Sequence, residues 1–313
     1  MTSDPPHLLD IDDLDPDGLE AILERAAALK RGVRAGESQP ILAGRTLAMI
    51  FEKPSTRTRV SFETGMTQLG GHAIFLGVDD IQLGRGEPLK DTARSLSRYV
   101  DAIMARVFDH GDLKELASYS SVPVINALSD RAHPCQTLAD LLTIREQFQG
   151  FNGVRAAWVG DGNNVAQSFA IGCALAGIEL AVATPPGYEI DRAILKRAAD
   201  IGSRVTSHAD PAAAVTEADV VYTDVWTSMG DEGEREQRLA DFDGYRLDKA
   251  LLSTAPDALI MHCLPAHRGE EITDEVIESE RSIVFDQAEN RLHAQKGLLA
   301  HLIERADQYE PMW

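Results

Sequence analysis

The fold of this chain is indicated first by the stretch Thr46-Leu-Ala-Met-Ile-Phe51, which is followed at once by Glu52-Lys-Pro-Ser-Thr-Arg-Thr-Arg59. The first part is a short apolar run of the length typical of a buried strand. The second part supplies Ser55 and Thr56, which are natural N-cap residues for a helix predicted over about 57–69. A buried strand that leads directly into a helix is typical of parallel α/β folds.

Apolar runs of the same kind recur along the chain and alternate with amphipathic helical stretches. Strands that alternate with helices of this length indicate parallel sheets covered by helices. The fold class is therefore predicted to be α/β, with two doubly wound parallel-sheet domains linked by helices. The predicted strands are 46–51, 72–76, 101–107, 122–127, 154–159, 179–183, 204–206, 219–223 and 258–262.

The glycine-containing segment Gly150-Phe-Asn-Gly153 is the predicted boundary between the two domains. It divides the chain into a first domain, 1–150, and a second domain, 151–313. The last predicted helix, over about 288–313, carries apolar residues at helical spacing. We expect this helix to pack back on the first domain.

Composition excludes several classes of protein. Among 313 residues, Asp and Glu number 50 against 30 Lys and Arg, so the formal net charge is −20. A surface this acidic repels phosphate backbones and anionic lipids, so neither nucleic acid nor a membrane is an expected partner. No apolar run approaches the roughly 18 residues of a membrane helix, and the first residues lack the pattern of a signal peptide. The three scattered cysteines fit neither a disulfide framework nor a thiolate zinc site, so we predict a cytoplasmic protein with no metal.

Polar residues follow the strand 46–51 where ligands bind in open α/β sheets, at the carboxyl ends of strands. Residues 55–59 bring three hydroxyls and two guanidinium groups to the start of a helix, whose free N–H groups favour anions. This pattern predicts a phosphate-binding site. The alternative is a capped helix with solvated arginines, and the residues alone leave that alternative open.

Three further residues extend this predicted pocket. Arg106 lies near the end of an otherwise apolar strand, where a charge is costly unless it meets an anion or a carboxylate. His133 precedes the helix predicted from Pro134, and Gln136 lies one turn further on the same face. A single histidine in such a position is more often a structural residue that makes hydrogen bonds than a catalytic one. Together with residues 55–59, these side chains predict donors for both a phosphate and a carbonyl.

Four motifs, in the expected order, resemble the aspartate/ornithine carbamoyltransferase family. They are residues 51–59, His133-Pro-Cys-Gln136, Asp224 with Ser228-Met-Gly230, and His262-Cys-Leu-Pro265. The likeness covers almost the whole chain and is greatest to the members that use ornithine. It implies a carbamoyl-phosphate domain followed by an ornithine domain, and transfer of the carbamoyl group to the δ-amine of L-ornithine to give L-citrulline. It also implies that no cofactor is used, and that the protein is a homotrimer, or a multiple of trimers, with active sites at subunit interfaces.

The resemblance also implies roles for single residues. Arg106 and His133 would be catalytic at the carbonyl oxygen, and Cys263 would position the amine. Gln82 occupies the place of a residue that the family lends to a neighbouring subunit. The implied carbamoyl-phosphate-binding residues are Ser55, Thr56, Arg57, Thr58, Gln82, Arg106, His133, Gln136, Cys263, Leu264 and Arg291. The implied ornithine-binding residues are Asn164, Asp224, Ser228 and Met229.

Two alternatives lie outside this enzyme class. Trp158-Val-Gly-Asp-Gly-Asn-Asn-Val165 is placed like a dinucleotide-binding loop, but Val165 replaces the third glycine and no acidic residue ends the next strand. A non-catalytic anion-binding relative would keep the phosphate site and lose a substrate motif, whereas this chain has all of them.

A third alternative is a different acceptor amine, namely aspartate, putrescine or an N-acylornithine. Aspartate brings a second carboxylate and would need an additional cationic clamp, but Arg235 and Arg238 are expected to be solvated on a helix. His262 and Cys263 are adjacent in or beside a strand, so we expect them to point to opposite faces, which argues against a metal site.

Overall fold

The computed structural model describes residues 5–202, 204–227 and 232–308, and the chain divides into two compact units. Unit 1 comprises Met1–Leu142 and Asn290–Trp313, and unit 2 comprises Thr143–Glu289. Each unit contains one parallel sheet covered by helices. The predicted fold class is confirmed.

The sheet of unit 1 has four parallel strands in the order β2-β1-β3-β4. Because neighbouring strands are parallel, each connection crosses back through a helix, and all carboxyl ends meet at one edge. At that edge Phe51 is paired with Arg106. The strands are β1 (Thr46–Phe51), β2 (His72–Gly77), β3 (Ala102–Arg106) and β4 (Val124–Leu128).

Helices pack on this sheet, and two of the helices of unit 1 extend beyond the unit. Helix α5 continues into unit 2, and α11 begins in unit 2 and ends in unit 1. Short 3-10 turns occur at Ile11–Asp13, Val78–Asp80 and Gln82–Arg85. The helices are α1 (Pro16–Arg34), α2 (Thr56–Gln68), α3 (Leu89–Leu96), α4 (His110–Tyr119), α5 (Pro134–Phe148) and α11 (Val284–Ala306).

The sheet of unit 2 has five parallel strands in the order β7-β6-β5-β8-β9. Three aromatic rings pack beside its centre, with Tyr222 lying 4.7 Å from Trp158 and 5.0 Å from Phe169 between ring centroids. The strands are β5 (Arg155–Val159), β6 (Glu179–Ala183), β7 (Val205–His208), β8 (Val220–Thr223) and β9 (Leu259–His262). The helices are α6 (Asn164–Ala176), α7 (Arg192–Ile201), α8 (Pro211–Val215), α9 (Arg235–Asp241) and α10 (Asp274–Ile277), with 3-10 turns at Glu232–Glu234 and Leu251–Thr254.

The C-terminal helix returns to the first unit, as the sequence predicts, although it begins at Val284 rather than near 288. Its packing against α1 is close, because a Cβ at Gly297 would lie 2.6 Å from the carbonyl oxygen of Ile22. Only glycine allows two helices to approach so closely at this point. None of the helices in the described ranges is long and apolar enough to cross a membrane.

Candidate active site

The start of α2 forms the first part of a site in unit 1. Ser55 is the N-cap: its Oγ accepts a hydrogen bond from the Thr58 N–H at 3.3 Å and donates to Thr58 Oγ1 at 3.0 Å. The first turn carries no acidic residue, so the positive end of the helix dipole is not offset there. Thr56 is exposed and Arg57 is half-buried. Within the described ranges Arg57 forms neither an ion pair nor a hydrogen bond.

Arg59 belongs to a different surface from Thr58. Its guanidinium pairs with Glu63 at 3.0 Å and lies over the ring of Phe75, 3.8 Å from the centroid. Of the two arginines that predicted the phosphate-binding site, only Arg57 is therefore left for an anion. The hypothesis of a solvated, structural arginine applies to Arg59.

Behind this helix start lies a cluster of buried polar side chains from three elements. Arg291 of α11 donates to Thr58 Oγ1 at 3.0 Å and to Gln136 Oε1 at 2.7 Å. Gln136 Nε2 in turn donates to Asp140 Oδ1 at 2.8 Å, one turn further along α5. Each of these four residues is at most 4% exposed. The interactions fix the Arg291 guanidinium between the two helices.

Arg106 and His133 are also buried, each 5% exposed. Arg106 ends β3, and its carbonyl oxygen accepts a hydrogen bond from the N–H of Glu52, in the loop that leads to α2. Burial, followed by the positive charges of Arg291 and Arg106, holds the pKa of His133 well below its ordinary value. His133 is therefore neutral at pH 7 and can donate or accept a hydrogen bond without adding charge.

We name Ser55, Thr56, Arg57, Thr58, Arg106, His133, Gln136 and Arg291 the unit 1 site. Its members lie at the end of β3, within or directly before α2 and α5, and in α11. The cluster contains two buried guanidinium groups, and the buried carboxylate of Asp140 accepts from Gln136, so the two arginines favour an anionic ligand. Sequence reasoning missed Asp140, although its spacing of four residues from Gln136 on one helix was a usable signal.

Gln82 lies apart from this buried cluster. It begins a 3-10 turn, its side chain is exposed, and no hydrogen bond joins it to the unit 1 site in the part of the chain that the structure describes. Its role across a subunit interface stays a prediction.

Unit 2 contains a second site, centred on the carboxylate of Asp224 just after β8. Asp224 is 6% exposed. Its Oδ2 accepts from Asn163 Nδ2 at 2.9 Å, and its Oδ1 accepts from the Cys263 thiol at 2.9 Å. Asn163, Asp224, Cys263 and the half-buried Leu264 are named the unit 2 site.

Asn163, which the sequence analysis did not include, is the N-cap of α6. Its Oδ1 accepts from the N–H groups of Val165 and Ala166, which leaves the amide nitrogen directed at Asp224. The predicted Asn164 is the first residue of the helix and is half-buried. An asparagine directly before a helix is a recognisable cap signal, so Asn163 was predictable. Ser228 and Met229 lie outside the described residues.

Hydrogen bonds of the buried His262 hold the loop after β9 in place. His262 is fully buried; its Nε2 lies 3.0 Å from Glu271 Oε1, and its Nδ1 accepts from the N–H of Leu264 at 2.8 Å. That acceptor role fixes the tautomer, with the proton on Nε2 and donated to the carboxylate. Leu264 has φ +58°, a conformation that a non-glycine residue adopts only when its surroundings impose it.

The expectation that His262 and Cys263 point to opposite faces is wrong. Ligand atoms of Asp224, His262 and Cys263 all lie within 4.8 Å of one another. Strand alternation does not apply, because β9 ends at His262 and Cys263 already belongs to the loop. Cys263 donates to Asp224, whereas the His262 ring contacts Glu271 and the N–H of Leu264.

The expectation that Arg238 is solvated is also wrong. Its guanidinium pairs with Asp161 at 2.8 Å, with both side chains only 12% exposed, and it donates to the carbonyl oxygen of Trp226 at 3.0 Å. Arg238 thereby joins the turn before Asn163 to the segment after Asp224. Arg235, by contrast, is half exposed and pairs with Glu270.

The glycine turn after β5 is filled by protein backbone. A Cβ at Gly162 would lie 2.4 Å from the Ile190 backbone nitrogen, and the Gly162 N–H donates to the carbonyl oxygen of Tyr188. In a dinucleotide-binding loop the glycine leaves that space to a pyrophosphate. This packing argues against the dinucleotide alternative.

The fold and the two sites define a class: a two-unit parallel α/β protein with a buried cationic site in one unit and a buried carboxylate site in the other. Residues 6–146 match the family model for the carbamoyl-P binding domain of aspartate/ornithine carbamoyltransferase, and residues 152–302 match the model for its Asp/Orn binding domain. The chain belongs to the aspartate/ornithine carbamoyltransferase family, which binds carbamoyl phosphate and an amino acid acceptor.

Individual relatives cover nearly the whole chain. It is 61% identical over 297 residues to an ornithine carbamoyltransferase of Haloquadratum walsbyi, covering 95% of this chain and 97% of that protein. It is 57% identical to the ornithine carbamoyltransferase of Methanoculleus marisnigri, covering 97% of each. Among solved structures, ornithine carbamoyltransferase from Pyrococcus furiosus matches with a TM-score of 0.91 and 53% identity, covering 96% of this chain and 97% of that one.

Proposed function

We propose that this chain transfers the carbamoyl group of carbamoyl phosphate to the δ-amine of L-ornithine, giving L-citrulline and phosphate. The observation that carries the proposal is the contrast between a buried cationic cluster around Arg106 and Arg291 and a buried carboxylate at Asp224. The first suits a phosphate and the second suits an ammonium group. The names of the similar proteins support the same activity.

Unit 1 binds carbamoyl phosphate in this proposal. Arg57 and the first-turn N–H groups of α2 receive the phosphate, because a helix start with an unpaired guanidinium beside it favours a dianion. Arg106 and neutral His133 donate to the carbonyl oxygen, and Gln136 contacts the carbamoyl nitrogen. Arg291 holds Thr58 and Gln136 in place, and its buried positive charge favours the negative ligand.

The reaction is direct attack by the amine. Carbamoyl phosphate is a mixed anhydride and already carries a good leaving group, so the δ-amine needs only to arrive neutral and correctly placed. As the new C–N bond forms, negative charge develops on the carbonyl oxygen, where Arg106, Thr58 and His133 stabilise it. The tetrahedral intermediate then expels phosphate as the C–O bond breaks, and the phosphate takes the proton that the former amine loses. No covalent enzyme intermediate and no cofactor are required.

Unit 2 binds ornithine in this proposal. Asp224 accepts a hydrogen bond from the α-ammonium group, and its orientation is set by Asn163 and Cys263. The Cys263 thiol is therefore a positioning group and not a nucleophile. Leu264, Asn164, Ser228 and Met229 complete the predicted contacts with the substrates.

The described charges favour ornithine over aspartate. A second substrate carboxylate would need a cationic clamp, and Arg238 is already engaged with Asp161 while Arg235 is engaged with Glu270. We also propose that the protein is cytoplasmic and assembles as a homotrimer, or a multiple of trimers, in which Gln82 completes a neighbouring subunit's site.

The experiment that tests the function is an assay of phosphate release from carbamoyl phosphate with four acceptors in parallel: ornithine, aspartate, putrescine and N-acetylornithine. We expect release with ornithine only, and citrulline as the product. Because the δ-amine must lose a proton before it attacks, the rate with ornithine should rise with pH across the neutral to alkaline range. Brisk release with aspartate, or none with ornithine, would contradict the proposal.

A further inference from the structure

Lys296 is a buried lysine on α11, and it is not one of the residues that contact the substrates in the proposed function. Its side chain is fully buried, and its Nζ donates to Gln68 Oε1 at 2.8 Å. Burial lowers the pKa of Lys296 to about 8. Burial of an ammonium group costs free energy, and its hydrogen bond to a neutral amide offsets only part of that cost. An apolar residue would fill the same space at a lower cost in free energy. The lysine therefore calls for a reason beyond packing.

The partner of Lys296 is the last residue of α2, and the first turn of α2 belongs to the unit 1 site. At that first turn Arg291 donates to Thr58. Helix α11 thus contacts both ends of α2 through polar side chains, at points about 15 Å apart along the α2 axis. Two such contacts fix how one helix lies along the other.

Between these two contacts the helices approach closely. A Cβ at Gly65 of α2 would lie 3.3 Å from Lys296 Cγ and 3.6 Å from Leu292 Cδ1. On its other side α11 is confined by α1, where Gly297 leaves no room for a side chain against Ile22. A small shift of α11 is therefore resisted by packing on two sides and is set by the polar contacts at the two ends of α2.

We propose that Lys296 is a positioning residue for the unit 1 site: its hydrogen bond to Gln68 fixes α11 against α2 so that Arg291 keeps its bonds to Thr58 and Gln136. Lys296 does not touch the ligand. It acts through Arg291, which lies five residues earlier on the same helix. The identity of the ligand as carbamoyl phosphate rests on the proposed function, whereas the positioning of Arg291 does not.

The test compares Lys296→Met and Gln68→Leu with the unmutated chain. Lys296→Met keeps the length of the side chain and removes the charge and the donor. Gln68→Leu removes the amide that accepts this hydrogen bond, at a half-buried position, and leaves the ammonium group in place. The control is Lys196→Met, on an exposed lysine of α7 that pairs with Asp200 in unit 2. For each protein the readouts are urea unfolding, the Kd for inorganic phosphate by calorimetry, and the KM for each substrate.

The two variants should differ in stability but should show a similar weakening of phosphate binding. Lys296→Met should be at least as stable as the unmutated chain, while Gln68→Leu should be less stable because it leaves a buried ammonium without its partner. In both, the Kd for phosphate and the KM for carbamoyl phosphate should rise roughly three- to thirtyfold. The KM for ornithine should stay within about twofold of the unmutated value, as it should for the Lys196 control.

If the role of Lys296 were purely structural, phosphate binding would follow stability, and only Gln68→Leu would bind phosphate more weakly. An unchanged Kd for phosphate in a folded Lys296→Met protein would overturn the inference, and so would equal increases in both KM values. If the unmutated chain binds phosphate but carbamoylates no ornithine, the proposed function fails while the calorimetric comparison still decides the role of Lys296.

Discussion

The two sites carry opposite charge within a chain whose formal net charge is −20. The unit 1 site buries Arg106 and Arg291 around a neutral histidine, with Asp140 as the nearby carboxylate. The unit 2 site buries Asp224 and surrounds it with neutral donors, Asn163 and Cys263. Neutral side chains contact the charge in each site: Thr58 and Gln136 accept from Arg291, and Asn163 and Cys263 donate to Asp224. Global charge therefore says little about a site, because local burial sets its field.

Removal of a positive charge from the unit 1 site should have the greatest effect on activity. Arg106→Met keeps most of the side-chain volume and deletes the charge that stabilises the developing oxyanion. We expect kcat to fall by roughly 10²- to 10³-fold, as for the loss of one preorganised donor. The measurement is steady-state phosphate release at saturating ornithine. Arg94→Ala, at an exposed arginine that pairs with Asp91, is the control and should keep the unmutated rate.

The corresponding change in unit 2 is Asp224→Asn, which removes the negative charge and keeps the shape. The KM for ornithine should rise roughly 10- to 100-fold, because a charge-assisted hydrogen bond becomes a neutral one. The KM for carbamoyl phosphate should not change. Asp200→Asn, on the exposed surface of α7, serves as the control. Equal increases in the two KM values would show that the two sites are not separate in function.

Much of both sites could be predicted from the sequence, for a physical reason. Parallel strands place their carboxyl ends at one edge, so polar residues that directly follow apolar runs must come together there. This reasoning places Thr58, Arg106 and His133 at the carboxyl edge of the unit 1 sheet, which is where β1, β3 and β4 end in the structure. It does not show that the Arg291 guanidinium lies against Thr58, because the two are 233 residues apart and only the packing of α11 brings them together.

Charged residues on helices were predicted less well. Arg235 and Arg238 lie one turn apart on α9, yet one is half exposed and the other is nearly buried. Helical spacing shows which residues share a face, but it does not show which other segment packs against that face. Here the turn at Asp161 and the carbonyl oxygen of Trp226 cover Arg238.

A change at Arg238 tests how the unit 2 site is supported by the segments around it. Arg238→Ala should lower the free energy of unfolding by about 1–3 kcal/mol, because Asp161 is left nearly buried without this partner. Since Arg238 joins the segments that carry Asn163 and Asp224, the KM for ornithine should also rise roughly tenfold. Urea unfolding and steady-state kinetics measure the two effects. Arg235→Ala, on the same helix, should change neither by a comparable amount.

The last prediction concerns His133 and the pH dependence of the free energy of unfolding. It tests whether the unit 1 site excludes a further positive charge. Burial, Arg291 and Arg106 lower its pKa in the folded chain, so near pH 6 the unfolded state binds a proton that the folded state does not. Stability should therefore fall as the pH drops below about 6.5, the ordinary histidine pKa, and continue to fall toward the lower pKa of the folded state. His133→Gln removes this contribution, so its loss of stability between pH 6.5 and 5.5 should be smaller than that of the unmutated chain by about 1 kcal/mol. Lowered pKa values at His110 and His301 act in the same direction in both proteins and cancel in the difference. Urea unfolding at the two pH values measures it, and identical pH dependence in the two proteins would mean that His133 takes up a proton in the folded site despite its two arginine neighbours.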